Sequence, residues 1–357
     1  MRPVSLRRSQ AKFEGLHGVF ADSLPDGWGR LLLDRDLLKR GIARQYVTPL
    51  HRLAHVGAHG MGALVYRPEL ERETPNEDEL NLTELQTHAT QILEGEESEL
   101  LSSLVSLGGS SGGARPKVLV GFRRKDSHVI HGALDDKDHV PYIVKFRNTE
   151  DPKDTGQIEW AYSEMARAAG LEIPETRLFV GKRRERFFGV RRFDRTAAGA
   201  RVHVHSFGGL LHIDHRIPGA IDYTDLLKAT RALTKDQREV ENAFRHMVFN
   251  GLAHNRDDHV KNFAFVMNDA GEWKKSPAFD LTLSVGPGGE HWMAVAGEGR
   301  NPTEKHFLAA GAAAGVKKGA AQEIVEQVRT ATKKWPKFAE KAELSKAAAE
   351  RVRSLLG

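Results

Sequence analysis

Near residue 210 the chain changes texture, and that change limits the folds open to it. Before it, apolar residues come in short runs broken by glycine or charge: 118–122, 129–131, 142–146, 176–181 and 187–193. β-Branched and aromatic runs bounded by turn residues read as strands. After it, residues 223–233, 235–250, 319–332 and 338–356 carry a helical period, with Ile324, Val325, Val328 and Ala331 on one face. Residues 30–39, 82–93 and 158–169 read as further helices, the last closed by Gly170 at the C-cap. Strands followed by helices predict an α+β, two-lobed protein: a β-rich N-terminal part to about 210 and an all-helical C-lobe.

The rest of the composition excludes more than it selects. None of the 357 residues is Cys, so disulfides, thiolate zinc sites and cysteine nucleophiles are ruled out. No apolar run reaches the ~18–20 residues of a membrane helix. Arg2, Arg7 and Arg8 are not followed by the hydrophobic stretch of a secretory signal, so a cytoplasmic protein is expected, without membrane contact. A net charge of +5 is mild. It fits weak affinity for nucleotides or nucleic acid, or simply a solvated surface.

Three places concentrate chemistry. The run His254-Asn255-Arg256-Asp257-Asp258-His259-Val260-Lys261-Asn262 lies between an apolar helix and the strand-like residues 263–267. A polar loop pinned between two apolar elements is either a solvated turn or a positioned site. Asp280 follows Asn262 by eighteen residues, and a hairpin over 263–277 would bring it back beside that asparagine. An Asn–Asp pair supplies hard oxygen ligands for Mg²⁺ on nucleotide phosphates, and Asp257 can orient a hydroxyl and take its proton; taken alone, Asp280 is equally readable as a turn or cap residue. Lys145 sits inside the apolar strand Tyr142-Ile143-Val144-Lys145-Phe146, where an ammonium needs an anion unless it snorkels from an edge. Glu159 opens the next helix and can pair with it. The stretch Leu107-Gly108-Gly109-Ser110-Ser111-Gly112-Gly113-Ala114-Arg115-Pro116-Lys117 is either a flexible linker or a loop whose amides cradle phosphates. A metal-hydrolase reading of His254, Asp257, Asp258 and His259 also stands open.

The order is more specific than the parts: glycine loop, strand lysine, helix glutamate, helical lobe, an Asp with an Asn five residues on, then a second Asp. This is the plan of a protein kinase, without His-Arg-Asp, Asp-Phe-Gly or the usual Gly-x-Gly-x-x-Gly. The chain resembles the HipA family of toxin kinases in Ser23-Leu24-Pro25-Asp26-Gly27-Trp28, Gly112-Gly113-Ala114-Arg115-Pro116-Lys117, the Lys145 strand, Glu159 with Ala166-Arg167 and Gly170-Leu171, Arg192-Phe193-Asp194-Arg195, Asp257-Asp258-His259-Val260-Lys261-Asn262-Phe263 and Pro277-Ala278-Phe279-Asp280-Leu281.

The resemblance implies an ATP- and Mg²⁺-dependent serine/threonine kinase with three parts: residues 1–100 as a HipA-type subdomain packed on the N-lobe, 101–210 as the N-lobe and 211–357 as the helical C-lobe. It implies that Asp257 engages the substrate hydroxyl and that Asn262 and Asp280 hold Mg²⁺. Lys145 and Gly112, Gly113, Ala114, Arg115, Pro116 and Lys117 would meet the phosphates. Arg191, Arg192 and Phe193 would hold adenine through the backbone and Asp194 the ribose, with His259, Lys261 and Phe279 completing the ATP contacts. Ser110, or its neighbour Ser111, matches the serine the family autophosphorylates. The implied partners are a HipB-like DNA-binding antitoxin, with DNA bound only through it, and a protein substrate such as an aminoacyl-tRNA synthetase. Three departures stand out. Arg115-Pro116 replaces Gln-Glu in the loop, and His203-Val204-His205-Ser206 replaces His-Gln-Glu-Asp after the hinge. The start is shorter by about one strand-rich segment, which a separate small protein would supply. The alternative from another class is a kinase-shaped binding module acting with a DNA-binding partner.

Overall fold

The computed structural model describes residues 13–70, 80–108, 112–125, 127–131 and 138–356. They form two compact units. The first takes the described residues up to Gly156 together with Glu175–His203; the second takes Gln157–Pro174 and the chain from Val204 onward.

In the first unit, strands β1 (Lys117–Arg123), β2 (His128–His131), β3 (Val140–Lys145), β4 (Thr176–Val180) and β5 (Arg186–Arg191) form an antiparallel sheet in the order β2-β1-β3-β5-β4. Alternation in β1 sets its two faces. Val118 opposes Val144 and Val120 opposes Tyr142, and with Phe122, Phe179 and Phe187 they enter a core shared with Trp28, Leu32, Leu85, Ile92 and Leu104. Phe122, Tyr142 and Phe179 meet edge to face, with ring centroids 5.4–5.9 Å apart. Each such ring contributes about 1.5–3 kcal/mol through burial. The opposite face carries Lys117 against Lys145, and Leu119 against Ile143.

Ahead of the sheet the described residues hold helices and no strand: Gly27–Lys39, Pro49–Val56, Leu82–Leu93 and Leu101–Gly108 are the longer ones. The expectation of a β-rich part therefore holds for the sheet and not for the segment before it. That segment's signals were local caps. The Thr48 hydroxyl accepts from the His51 amide ahead of Pro49, and the Asn81 side chain accepts from the Glu84 amide.

The second unit is built on helix Gln237–Leu252, whose Val240, Ala243, Phe244, Met247 and Val248 are wholly buried. Helix Thr155–Ala168, which the sequence places in the middle segment, buries Ile158, Ala161, Tyr162 and Met165 in this unit's core. The spacing of that stripe follows the helical period, so the helix belongs with whatever covers it. Gly170, at φ +84°, ends the helical stretch as expected. The run 338–356 is broken: Trp335–Lys341 and Lys346–Leu356 are separate helices with Glu343 left-handed (φ +54°) between them. The unit is not all-helical. Strands β6 (His203–Ser206), β7 (Ala264–Met267) and β8 (Trp273–Lys275) form a small sheet, because the β7–β8 hairpin needs a third strand to complete it.

Candidate active site

The glycine-rich loop ends in an unusual charge arrangement. Lys117 and Lys145 are directly opposed across β1 and β3, so two ammonium-bearing side chains share one sheet face at the foot of the loop. Like charges in register are destabilising, which marks the position as one suited to an anion. Lys117 is buried, and its Nζ donates to the Gly112 carbonyl. Lys145 is half-buried, with Nζ 5.7 Å from the Phe188 ring centroid. The Gly113 amide donates to Asp26 Oδ1 at 2.5 Å, and the Phe146 amide donates to the Pro116 carbonyl at 2.8 Å. Arg115, the departure in this loop, is held by Asp151: Nε lies 3.0 Å from Oδ2 and Nη2 donates to Oδ1 at 3.1 Å. The extra cation is thus neutralised within the first unit. Ser110 and Ser111 lie outside the described residues.

The stretch expected to meet adenine and ribose is tied into the first unit by its own hydrogen bonds. The amides of Arg191 and Arg192 donate to the carbonyls of Glu175 (2.8 Å) and Pro141 (2.9 Å). Asp194 has no exposed surface and accepts four hydrogen bonds: from Arg192 Nε (2.9 Å) and Nη2 (2.8 Å), Arg195 Nη1 (2.7 Å) and the Gly62 amide (2.8 Å). Burial raises its pKa, but Arg192, Arg195 and the Gly62 amide outweigh that and hold the carboxyl below the usual carboxylate range. Asp194 therefore ties residues 60–62 to the end of the sheet. Phe193, between them, is half-buried.

In the second unit the two adjacent carboxylates differ sharply. Asp258 is fully buried and accepts from the Tyr223 hydroxyl (2.7 Å), His291 Nδ1 (2.7 Å) and the Trp292 amide (2.8 Å). Burial first, and then the Asp258 charge, push the Tyr223 phenol well above its ordinary pKa, so it stays a donor. The chain of bonds continues from Asn250 Nδ2 to Tyr223 Oη and from Asn255 Nδ2 to Asn250 Oδ1, both 2.9 Å. With Asp258 anchored, Asp257 points outward with a side chain 47% exposed. His259 Nε2 stands 4.0 Å from Asp257 Oδ1 and its ring packs against those of His215 and Trp292. Lys261, half-buried, lies with Asn262 on the short turn Val260–Asn262.

Asn262 is buried and its Nδ2 donates to the Asp257 carbonyl at 2.6 Å, which turns its amide oxygen away as an acceptor. The hairpin expected from the sequence forms: β7 and β8 pair, and the Ser276 amide donates to the Ala264 carbonyl at 2.9 Å, two residues past Asn262. The chain then passes Phe279, half-buried, to Asp280 in the left-handed region at φ +57°. A carboxylate residue held in a costly backbone conformation is a common mark of a functional position.

As a donor set, the Asn262 amide oxygen and the Asp280 carboxylate suit a hard divalent cation that takes its remaining ligands from phosphate and water. Among the described residues no three His, Asp or Glu are grouped to hold a metal. With Asp258 saturated by three donors, the metal-hydrolase reading loses that carboxylate as a ligand. Glu159, on helix Thr155–Ala168, is buried.

Comparison with known proteins matches residues 109–335 to the HipA-like C-terminal domain and residues 3–67 to the HipA N-terminal domain. The chain belongs to the HipA family. A chain of the Shewanella oneidensis MR-1 toxin–antitoxin complex of HipA, HipB and operator DNA shares the fold, with TM-score 0.69 and 16% identity over 95% of this chain and 82% of that one. A curated Sinorhizobium fredii protein named "Putative kinase Y4dM" is 28% identical over 140 residues, 36% of this chain and 34% of the relative, so the match spans about a third of that protein. Within the HipA family frame, the residues that sequence reading missed are the anchors: Tyr223, Asn250 and His291 beneath Asp258, and Asp26 on the loop. No spacing rule links residues thirty or ninety positions apart. The one local signal was the Leu24-Pro25-Asp26-Gly27-Trp28 turn, whose purpose the sequence left open.

Proposed function

We propose that this HipA-family chain is an ATP- and Mg²⁺-dependent serine/threonine protein kinase. The observation that carries the reading is the division of labour between neighbours: Asp258 is buried and saturated, which leaves Asp257 outward beside an Asn262 whose amide oxygen faces away from the loop. Asp257 takes the proton of an acceptor hydroxyl. Asn262 and Asp280 are the groups to hold Mg²⁺, which when bound neutralises charge on the transferring phosphoryl group. On the first unit, Lys117 and Lys145 offer paired cations to the nucleotide phosphates. The acceptor is a protein hydroxyl, in line with the family resemblance to kinases of aminoacyl-tRNA synthetases. Ser110 or Ser111 is the self-modified serine, and a HipB-like DNA-binding protein is the restraining partner.

The test is transfer of labelled γ-phosphate from ATP in the presence of Mg²⁺ to protein substrate and to the chain itself. Asp257→Asn is expected to lower transfer by about 10²–10⁴-fold, with Asp280→Ala at least as severe. Transfer unaffected by either change refutes the assignment. No transfer by the unsubstituted chain, with binding to a DNA-binding partner retained, favours the binding-module reading.

A further inference from the structure

The Asp26-Gly27-Trp28 turn is not used by the chemistry above, yet it sits on the glycine-rich loop. Asp26 precedes helix Gly27–Lys39 in the N-cap position, with extended backbone (φ −124°, ψ 173°), but its side chain makes no capping bond to that helix. The carboxylate instead accepts from the Gly113 amide, 2.5 Å away. In return the Gly113 carbonyl accepts from the Trp28 amide at 3.1 Å, and the Lys117 carbonyl accepts from Trp28 Nε1 at 3.2 Å. The helix start and the loop thus satisfy each other's orphan groups across 87 residues, a reciprocal exchange like a capping box made between distant segments.

Shape enforces the contact. Gly27 is left-handed at φ +43°, and a Cβ there would lie 2.5 Å from the Gly113 carbonyl oxygen. A Cβ on Gly112 would lie 3.1–3.2 Å from both Asp26 carboxylate oxygens. Gly113 is itself at φ +102°. Three glycines and one carboxylate therefore specify a single loop conformation, and Lys117 Nζ on the Gly112 carbonyl closes it.

We propose that Asp26 is a positioning residue for the phosphate loop: through the Gly113 amide it holds residues 112–117 in the conformation that receives the nucleotide. This rests on the kinase reading. The carboxylate's own charge is outweighed at the foot of the loop by Lys117 and Lys145, which face each other across the sheet. A consequence is that the N-terminal segment, far from the chemistry in sequence, sets nucleotide affinity.

The experiment uses the full chain with ATP and Mg²⁺, measuring nucleotide affinity by calorimetry and amide exchange of residues 112–117 by mass spectrometry. Asp26→Ala is expected to weaken ATP binding by about tenfold to a hundredfold, the range for a hydrogen bond to a charged group, and to speed exchange at Gly113. Asp26→Asn keeps an acceptor oxygen and should restore most of both. Gly27→Ala, which keeps the carboxylate but obstructs the approach, should behave like Asp26→Ala; its circular dichroism and that of Asp26→Asn separate loop effects from misfolding. ATP bound equally or more tightly by Asp26→Ala overturns the proposal, the latter showing that the carboxylate competes with phosphate. Unchanged exchange at Gly113 also overturns it. If the unsubstituted chain binds no ATP, it is the kinase reading that fails, and the exchange measurement still decides whether Asp26 holds the loop.

Discussion

Replacing Asp194 by Ala should be among the most damaging single changes in the first unit. The carboxylate is the common acceptor for Arg192, Arg195 and the Gly62 amide, and the two arginines are 2% and 4% exposed. Without it, Arg192 keeps only the Gly60 carbonyl at 3.2 Å among the bonds described, and Arg195 keeps the carbonyls of Gly60, Gly62 and residue 194. The buried Arg192 guanidinium would then lose the carboxylate that balances its charge. Removing one partner of a buried pair costs about 3–5 kcal/mol, a large part of the ~5–15 kcal/mol that stabilises a typical domain. Asp194→Asn keeps the shape but not the charge and should cost somewhat less. The acid side gives a second signature. Because the folded carboxyl titrates below its unfolded value, its contribution is present above about pH 4 and is lost as pH falls through the folded pKa. The wild type should therefore lose more stability than Asp194→Asn on acidification through that window. Urea unfolding followed by amide exchange in peptides covering Gly60–Gly62 and β3 reads the first unit separately from the second, as two units need not unfold together. An Asp194→Ala protein with an unchanged midpoint and unchanged exchange at Gly62 would refute the reasoning.

Two further outcomes follow from the same structure. Lys145→Met should abolish most of the rise in thermal midpoint that added ATP gives, since it removes one of the two lysines opposed across β1 and β3; an ATP-induced rise equal to that of the unsubstituted chain counts against a phosphate role for Lys145. His246 is buried against Phe263, with ring centroids 4.7 Å apart, and burial first, then Lys275, hold its pKa well below the usual range. The unfolded chain takes up that proton below about pH 6.5 while the folded one does not, so stability should fall with acidification by up to about 1.4 kcal/mol per pH unit. His246→Leu should flatten that dependence in urea titrations between pH 7 and 5, and an identical slope in both proteins would exclude His246 as its source.

Much of this protein was legible in its sequence because the determinants are local. Strand alternation in 118–122, the helix ended by Gly170 and the hairpin that pairs 265–267 with 273–275 follow from side-chain period and turn residues close together in the chain. The expectations for Asp257, Asn262 and Asp280 were drawn by the same means, since all three rest on one loop and one hairpin. Sequence chose Asp257 by its spacing from Asn262 but gave its chemically identical neighbour Asp258 no part in the kinase reading. Only Tyr223, His291 and Trp292, brought in by other elements, bury one and leave the other outward. Nor could it show that Asp194 belongs to Arg192, Arg195 and Gly62, that Arg115 is neutralised by Asp151, or that Asp26 grips Gly113. A charged side chain carries no mark of its partner along the chain. Its role is set by which opposite charge or orphan amide the folded backbone places within about 3 Å, and that distance exists only in the tertiary structure.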